Sequence, residues 1–94
     1  MKRSIAIAGN MGTGKSTLTA RLVAHLETAG CDVLLVREPG GSATGERIRR
    51  VLLDPEGTVA PWAEALLFAA ARAQLVHEIV EPALQAARWV VSDR

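Results

Sequence analysis

Apolar and polar positions fall into blocks along the chain, and the blocks follow two different periods. Residues 5–8 form a short unbroken apolar run containing β-branched isoleucines, which predicts a strand buried on both faces, and three glycines between positions 9 and 14 end it. From 15 to 29 the period changes: Leu18, Leu22 and Leu26 recur every fourth residue, Ala29 follows three later, and Gly30 stands where a left-handed helix cap belongs. Residues 32–36 predict a second buried strand. Strand, glycine loop, helix and strand in that order make a unit that builds a parallel sheet through a right-handed crossover.

Residues 37–45 read as a loop because Pro39, Gly40, Gly41 and Gly45 crowd into it, and a helix of about two turns ending near Leu53 is expected after them. Asp54-Pro55-Glu56-Gly57 stops that helix. The run 62–80 is rich in Ala and Leu, with Leu67, Ala71, Gln74, Leu75 and Ile79 near one helical face. Pro82 is expected to open a further helix ending near Ala87, since proline suits a first turn and not an interior. Residues 89–92 predict a third strand. The expected fold is α/β, a three-layer arrangement with three parallel strands of the core. Asp93-Arg94 ends the chain where a functional loop should begin, so 1–94 reads as a single domain that is incomplete at its C-terminus.

Composition narrows this picture by exclusion. The 94 residues suffice for one domain only, and 49% hydrophobic with 22% charged residues is the balance of a packed domain, not of a disordered segment. A net charge of +1 supplies no global field for nucleic acid or an anionic membrane, so neither is expected as a partner and any anion site must be local. Lone Cys31 cannot pair internally and reads as a small buried residue in a reducing compartment; His25 and His77 complete no metal cluster. The apolar run after Met1-Lys2-Arg3 stops at Gly9, short of the roughly 7 to 15 residues of a signal peptide, and nothing approaches the roughly 20 needed to span a bilayer. A soluble, cytoplasmic protein is expected. Trp62 and Trp89 are expected to anchor helix and strand packing.

The chemistry concentrates in Gly9-Asn10-Met11-Gly12-Thr13-Gly14-Lys15-Ser16, which satisfies G-x-x-x-x-G-K-[ST] between a predicted strand and a predicted helix. Glycines let the backbone curl so that successive N–H groups face phosphate oxygens, and the helix start adds the positive end of its dipole. Lys15 brings a mobile charge to the β- and γ-phosphates, and the Ser16 hydroxyl is a ligand for Mg²⁺. The expected ATP-phosphate contacts run from Gly9, Asn10, Met11, Gly12, Thr13 and Gly14 through Lys15 and Ser16 to Thr17. A P-loop alone does not separate kinases from GTPases or motor ATPases.

Further motifs point one way. Arg37-Glu38-Pro39-Gly40-Gly41, Gly45-Glu46-Arg47-Ile48-Arg49, Leu52-Leu53-Asp54-Pro55, Leu67-Phe68-Ala69-Ala70-Ala71-Arg72-Ala73-Gln74 and Val91-Ser92-Asp93-Arg94 closely resemble the thymidylate kinase family in order and spacing. The resemblance covers essentially the whole chain and corresponds to the N-terminal half of a typical member; with the P-loop it implies a P-loop NTPase-like α/β fold and makes 1–94 a single P-loop nucleotide kinase domain, incomplete at its C-terminus. It implies transfer of the γ-phosphoryl of ATP to dTMP, with Mg²⁺ on the donor phosphates, in a family whose members are commonly homodimers.

It also implies roles. Phe68 and Arg72, four apart on one helix, lean over one site; the resemblance has the phenylalanine stack on the thymine ring and the arginine donate to the base edge. From the residues alone, a core phenylalanine and a solvated arginine compete with that reading. Arg94 would grip the acceptor phosphate and Asp93 serve the metal and transfer site, although both also suit a strand-end turn. Arg49 would lie beside the base, with Arg47 and Arg50 as a solvated face. Glu38 and Pro39 would bring a carboxylate and a tight backbone to the acceptor, Glu38 either holding metal-bound water or capping its loop. Lys15, Asp93 and Arg94 form the expected catalytic set.

Two positions depart from the family. Met11 stands where an acidic residue is usual, and Gly9-Asn10-Met11-Gly12 resembles the deoxyribonucleoside kinases instead. Thr13 means that no arginine comes from within the P-loop, so a lid beyond Arg94 in the family pattern would have to supply one. A kinase for another deoxynucleotide or deoxynucleoside, and a non-catalytic nucleotide-binding module, are the alternatives.

Overall fold

Three parallel strands lie side by side, with the last strand of the chain in the middle. The computed structural model describes residues 4–7 and 15–93. The strands are β1 (Ser4–Ile7), β2 (Val33–Arg37) and β3 (Trp89–Asp93), in the order β1-β3-β2. The register sets Ile7 and Arg37 on either side of Asp93, so all three strands end at the same level. Between them run α1 (Lys15–Thr28), α2 (Ala43–Leu53), α3 (Pro61–Leu75), a π-helical segment (Val76–Val80) and α4 (Glu81–Gln85).

The core follows from the alternation of the strands. Val36 and Val90 share one face with Leu34 and meet Leu75 and Ala83 from the long helical stretch, all five apolar, with Leu75 and Val90 1% exposed. Val91 points to the opposite face, where α1 packs against β2 and β3, and is fully buried. Helices on both faces of a parallel sheet give the expected three layers. The predicted stripe of the long helix is the one that turns inward: Ala71 and Leu75 are buried, and Leu67, Gln74 and Ile79 half-buried.

Both helix ends that matter for the strands close in the same way. The N–H of Cys31 reaches the Leu26 carbonyl and that of Gly30 the Glu27 carbonyl, with Gly30 at φ +85°, the left-handed cap expected of it. After α4 the same pair of bonds runs from Arg88 to Ala83 and from Ala87 to Leu84, with Ala87 in the left-handed position.

Several expectations are corrected. Helix α2 starts at Ala43, inside the predicted loop, because Ser42 caps it by accepting from the Gly45 N–H at 2.9 Å. Residues 61–85 form one continuous helical run and not two helices. Torsions stay helical across both junctions, and the Glu81 N–H bonds back five residues to the Val76 carbonyl. That wider turn accommodates Pro82, whose ring would clash with the carbonyl of Glu78 in a regular α-helix. Trp62 is no anchor: it sits in the first turn of α3 at 83% exposure, and Leu66, one turn on, is exposed too. Leu18 is likewise 57% exposed while neighbouring Thr19 takes the buried position on α1. Cys31 is only half-buried. Among the described residues, no helix is long and apolar enough to cross a membrane.

Candidate functional site

The loop after β2 is drawn against α3 by close approach and directional bonds. Gly41, at φ +85°, a torsion that strains any other residue, passes so near the helix that a Cβ there would lie 2.8 Å from Leu75 Cδ1 and Leu75 would have to shift. Its N–H donates to Glu46 Oε1 at 3.0 Å, and Arg49 Nη1 donates to the Pro39 carbonyl at 3.1 Å. Helix α2 therefore holds the loop from one side while β3 holds it from the other, through the Glu38 N–H and the Asp93 carbonyl at 2.9 Å. The Glu38–Pro39 peptide is cis.

This arrangement brings Glu38, Pro39, Phe68 and Arg72 around one open cleft of about 110 Å³. The volume is well below the roughly 300 to 1,000 Å³ of sites that enclose a drug-sized ligand, and suits one flat ring more than a whole nucleotide. Phe68 is 43% exposed at the cleft, so it is not a core residue. Arg72 Nε lies 2.6 Å from Glu38 Oε1, and Ser92 Oγ donates to Glu38 Oε2 at 2.6 Å. The carboxylate is largely buried and the guanidinium half-exposed. A charged pair with one member open to water leaves the arginine's terminal N–H groups available to a ligand.

The other predicted residues divide by position. Asp93 ends β3 beside Ile7, the last residue of β1, from which the P-loop segment departs. Lys15 begins α1, and Ser16 and Thr17 follow it in the first helical turn, both exposed. Gly9, Asn10, Met11, Gly12, Thr13, Gly14 and Arg94 lie outside the described residues. Arg49 is half-buried and engaged with the loop backbone at Pro39, and is not among the described lining residues of the cleft; Arg47 and Arg50 are exposed. Glu38, for which a metal-water role and a loop role were open, is engaged by Arg72 and Ser92.

Two residues carry structure here that pattern reading passed over. Ser42 holds the start of α2, and Ser92, 6% exposed, holds Glu38. A signal for Ser92 existed: a hydroxyl within an apolar strand needs a partner when buried.

The family profile for thymidylate kinase matches residues 7–94. The chain belongs to the thymidylate kinase family. It is 53% identical to a thymidylate kinase from Rhizorhabdus wittichii over 98% of this chain and 45% of the relative. It is 50% identical to one from Pelotomaculum thermopropionicum over 96% and 42% respectively. A solved thymidylate kinase from Ehrlichia chaffeensis superposes with a TM-score of 0.85 at 31% identity, covering 99% of this chain and 51% of that one. These agree with the motif resemblance and with the expected α/β P-loop fold. The chain thus spans under half the length of these curated relatives.

Proposed function

We propose that this chain carries the donor-phosphate and acceptor-base parts of an ATP:dTMP phosphotransferase, whose reaction moves the γ-phosphoryl of ATP to dTMP and yields dTDP and ADP. The observation that carries this reading is the cleft: an exposed ring on Phe68 and a forked donor on Arg72, four residues apart on α3, face the loop of Glu38 and Pro39. A pyrimidine needs a flat apolar surface for its ring and N–H donors for its carbonyl edge, and both are supplied. The cleft lies by the common end of the strands, where open α/β sheets bind ligands, and the phosphate loop leaves β1 at that same end.

Phosphoryl transfer asks the protein for positioning and charge neutralisation more than covalent chemistry. Lys15 and the helix start would hold the donor phosphates, with Gly9, Asn10, Met11, Gly12, Thr13, Gly14 and Thr17 as further contacts. Arg94 would hold the acceptor phosphate. Mg²⁺ fits the donor set: the Ser16 hydroxyl and the Asp93 carboxylate are hard oxygen ligands, and this ion takes one or two protein ligands beside phosphate oxygens and water. When bound it neutralises charge on the phosphates. Small nucleotides are the proposed partners, in a cytoplasmic protein that pairs with a second copy; nucleic acid and membrane are not. Met11 favours a second reading, in which the acceptor is another deoxynucleotide or a deoxynucleoside.

A panel of dTMP, dCMP and thymidine titrated calorimetrically into the chain, with and without ATP and Mg²⁺, tests both. The expected result is saturable dTMP binding that persists beside ATP. In Lys15→Ala, ATP binding should fall at least about tenfold, the equivalent of about 1.4 kcal/mol, while dTMP binding holds. Tighter thymidine than dTMP binding would favour the second reading, and unchanged ATP affinity in Lys15→Ala would remove the first.

A further inference from the structure

The segment 38–42 between β2 and α2 carries Gly40 at φ +120° and Gly41 at φ +85°, so its backbone keeps one shape only as far as bonds and close contacts fix it. Helix α2 supplies both. Glu46 and Arg49, three residues apart and so neighbours on the helix surface, reach back over the loop. Glu46 Oε1 accepts from the Gly41 N–H at 3.0 Å, and Arg49 Nη1 donates to the Pro39 carbonyl at 3.1 Å. Gly40 lies against both side chains. A Cβ there would stand 2.5 Å from Glu46 Oε1, 3.1 Å from its Cδ and 3.6 Å from Arg49 Cδ, so Glu46 takes the space that a side chain at 40 would need.

We propose that Glu46 and Arg49 are positioning residues, a two-point clamp that fixes the Pro39 wall of the cleft and so sets the affinity for the acceptor base. The inference rests on the cleft being the acceptor-base site. The polarity of the clamp is matched to the loop: a carboxylate only accepts and a guanidinium only donates, and the loop offers them one N–H and one carbonyl, two residues apart. Pro39 lines the cleft together with Phe68, and neither Glu46 nor Arg49 is among the described lining residues. The clamp therefore acts on the room beside the Phe68 ring, through the backbone of the loop.

A wall already in place when the ligand arrives does not have to be ordered by binding, so less entropy is lost and affinity rises. Two consequences follow. The clamp acts on contacts to the base, so a nucleoside and its nucleotide should feel its loss by the same factor. The donor phosphates, expected at the start of α1, should not feel it.

The test measures calorimetric affinities of the 94-residue chain for dTMP, thymidine and ATP, as wild type, Glu46→Ala, Glu46→Gln and Arg49→Ala. Glu46 is exposed and its bond competes with water, so Glu46→Ala should weaken dTMP at least about threefold, the loss of a hydrogen bond of ordinary net strength. Thymidine should weaken by the same factor, ATP should hold, and Arg49→Ala should follow the same pattern. Glu46→Gln, whose amide oxygen still accepts from the Gly41 N–H, should restore the wild-type affinity, which separates the bond from the charge. In a Phe68→Ala background the effect of Glu46→Ala on dTMP should shrink, because the wall no longer stands beside a ring. Wild-type protein that binds neither dTMP nor thymidine would overturn the acceptor reading, and the clamp with it. Wild-type dTMP binding that survives unchanged in either alanine variant would overturn the clamp alone. So would a glutamine variant as weak as the alanine one, a loss confined to dTMP, or a loss shared by ATP. Should Glu46→Ala fail to fold, the Gly41 amide decides: hydrogen exchange there at the rate of an unprotected amide in the wild type overturns the proposal, and protection that Glu46→Gln keeps supports it.

Discussion

Leu75 and Phe68 stand two turns apart on the same helix, in opposite surroundings. Leu75 is 1% exposed and closes the seam with Val36, Ala83 and Val90; Phe68 is 43% exposed at an open cleft. The seam is held by apolar burial, which is non-directional and tolerates small shifts. The cleft is held by directional bonds among Glu38, Arg72 and Ser92, and by Arg49 on the Pro39 carbonyl. One side of the helix therefore serves ligand geometry in its middle turns and stability at its end, and substitutions along it should separate the two.

The largest expected effect falls on the seam. Leu75→Ala removes a fully buried side chain with sheet on one side and Gly41 on the other, and should lower folding stability by about 2 to 5 kcal/mol in denaturant titration. Against a total of roughly 5 to 15 kcal/mol for an ordinary domain, that is enough to unfold much of the population. A loss under about 1 kcal/mol would show that the helix does not depend on this contact.

Phe68→Ala comes next and should invert the pattern. Stacking on a base is worth about 1 to 3 kcal/mol in single-stranded nucleic-acid sites, a guide to the loss of dTMP affinity expected here. Stability should fall less than in Leu75→Ala, because a half-exposed ring buries less area. Calorimetry against dTMP and ATP together with a denaturant curve reads all three quantities. Lost ATP affinity, or stability lost with dTMP affinity intact, would place Phe68 with the seam.

Ser42→Ala should sit between the regions and be smaller than either. The hydroxyl caps α2, and α2 holds the loop that carries Glu38 and Pro39. Loss of such a cap costs typically about 1 kcal/mol of stability. The dTMP affinity should weaken in step, since the loop wall loosens; stability lost without any change in dTMP binding would show that the cap and the cleft are independent.

What could be read from residues follows the same division. Seam residues declare themselves through local period: the stripe of Leu67, Ala71, Leu75 and Ile79, the apolar runs of the strands and the cap at Gly30 were all legible because each depends on neighbours within a few positions. The order β1-β3-β2 was not, since it places the last strand between the first two. Nor was the start of α2, where Gly40, Gly41 and Gly45 give a loop composition to a segment whose last glycine lies inside a helical turn. The helix through Pro82 was hidden for a related reason: the π-helical turn that accommodates the proline leaves no mark in the pattern. In the cleft, family motifs named Glu38, Phe68 and Arg72, but the bonds joining Ser92 to Glu38 and Glu38 to Arg72 cross 54 and 34 residues, beyond any local period.

Trp62 gives the smallest expected effect and the sharpest check on where the seam ends. Its size alone marked it as an anchor, yet at 83% exposure it touches little, and Leu66 on the same face is 67% exposed. In dilute solution Trp62→Ala should change folding stability by no more than about 0.5 kcal/mol, as surface substitutions generally do. Running the denaturation at two protein concentrations sharpens the comparison. If the wild type alone becomes more stable with concentration, the indole is buried by a second copy, because linkage to association stabilises by mass action. If both chains are insensitive to concentration and the variant still loses more than about 1 kcal/mol, the first turn of α3 belongs to the core and the boundary drawn between the buried and exposed faces of this helix is misplaced.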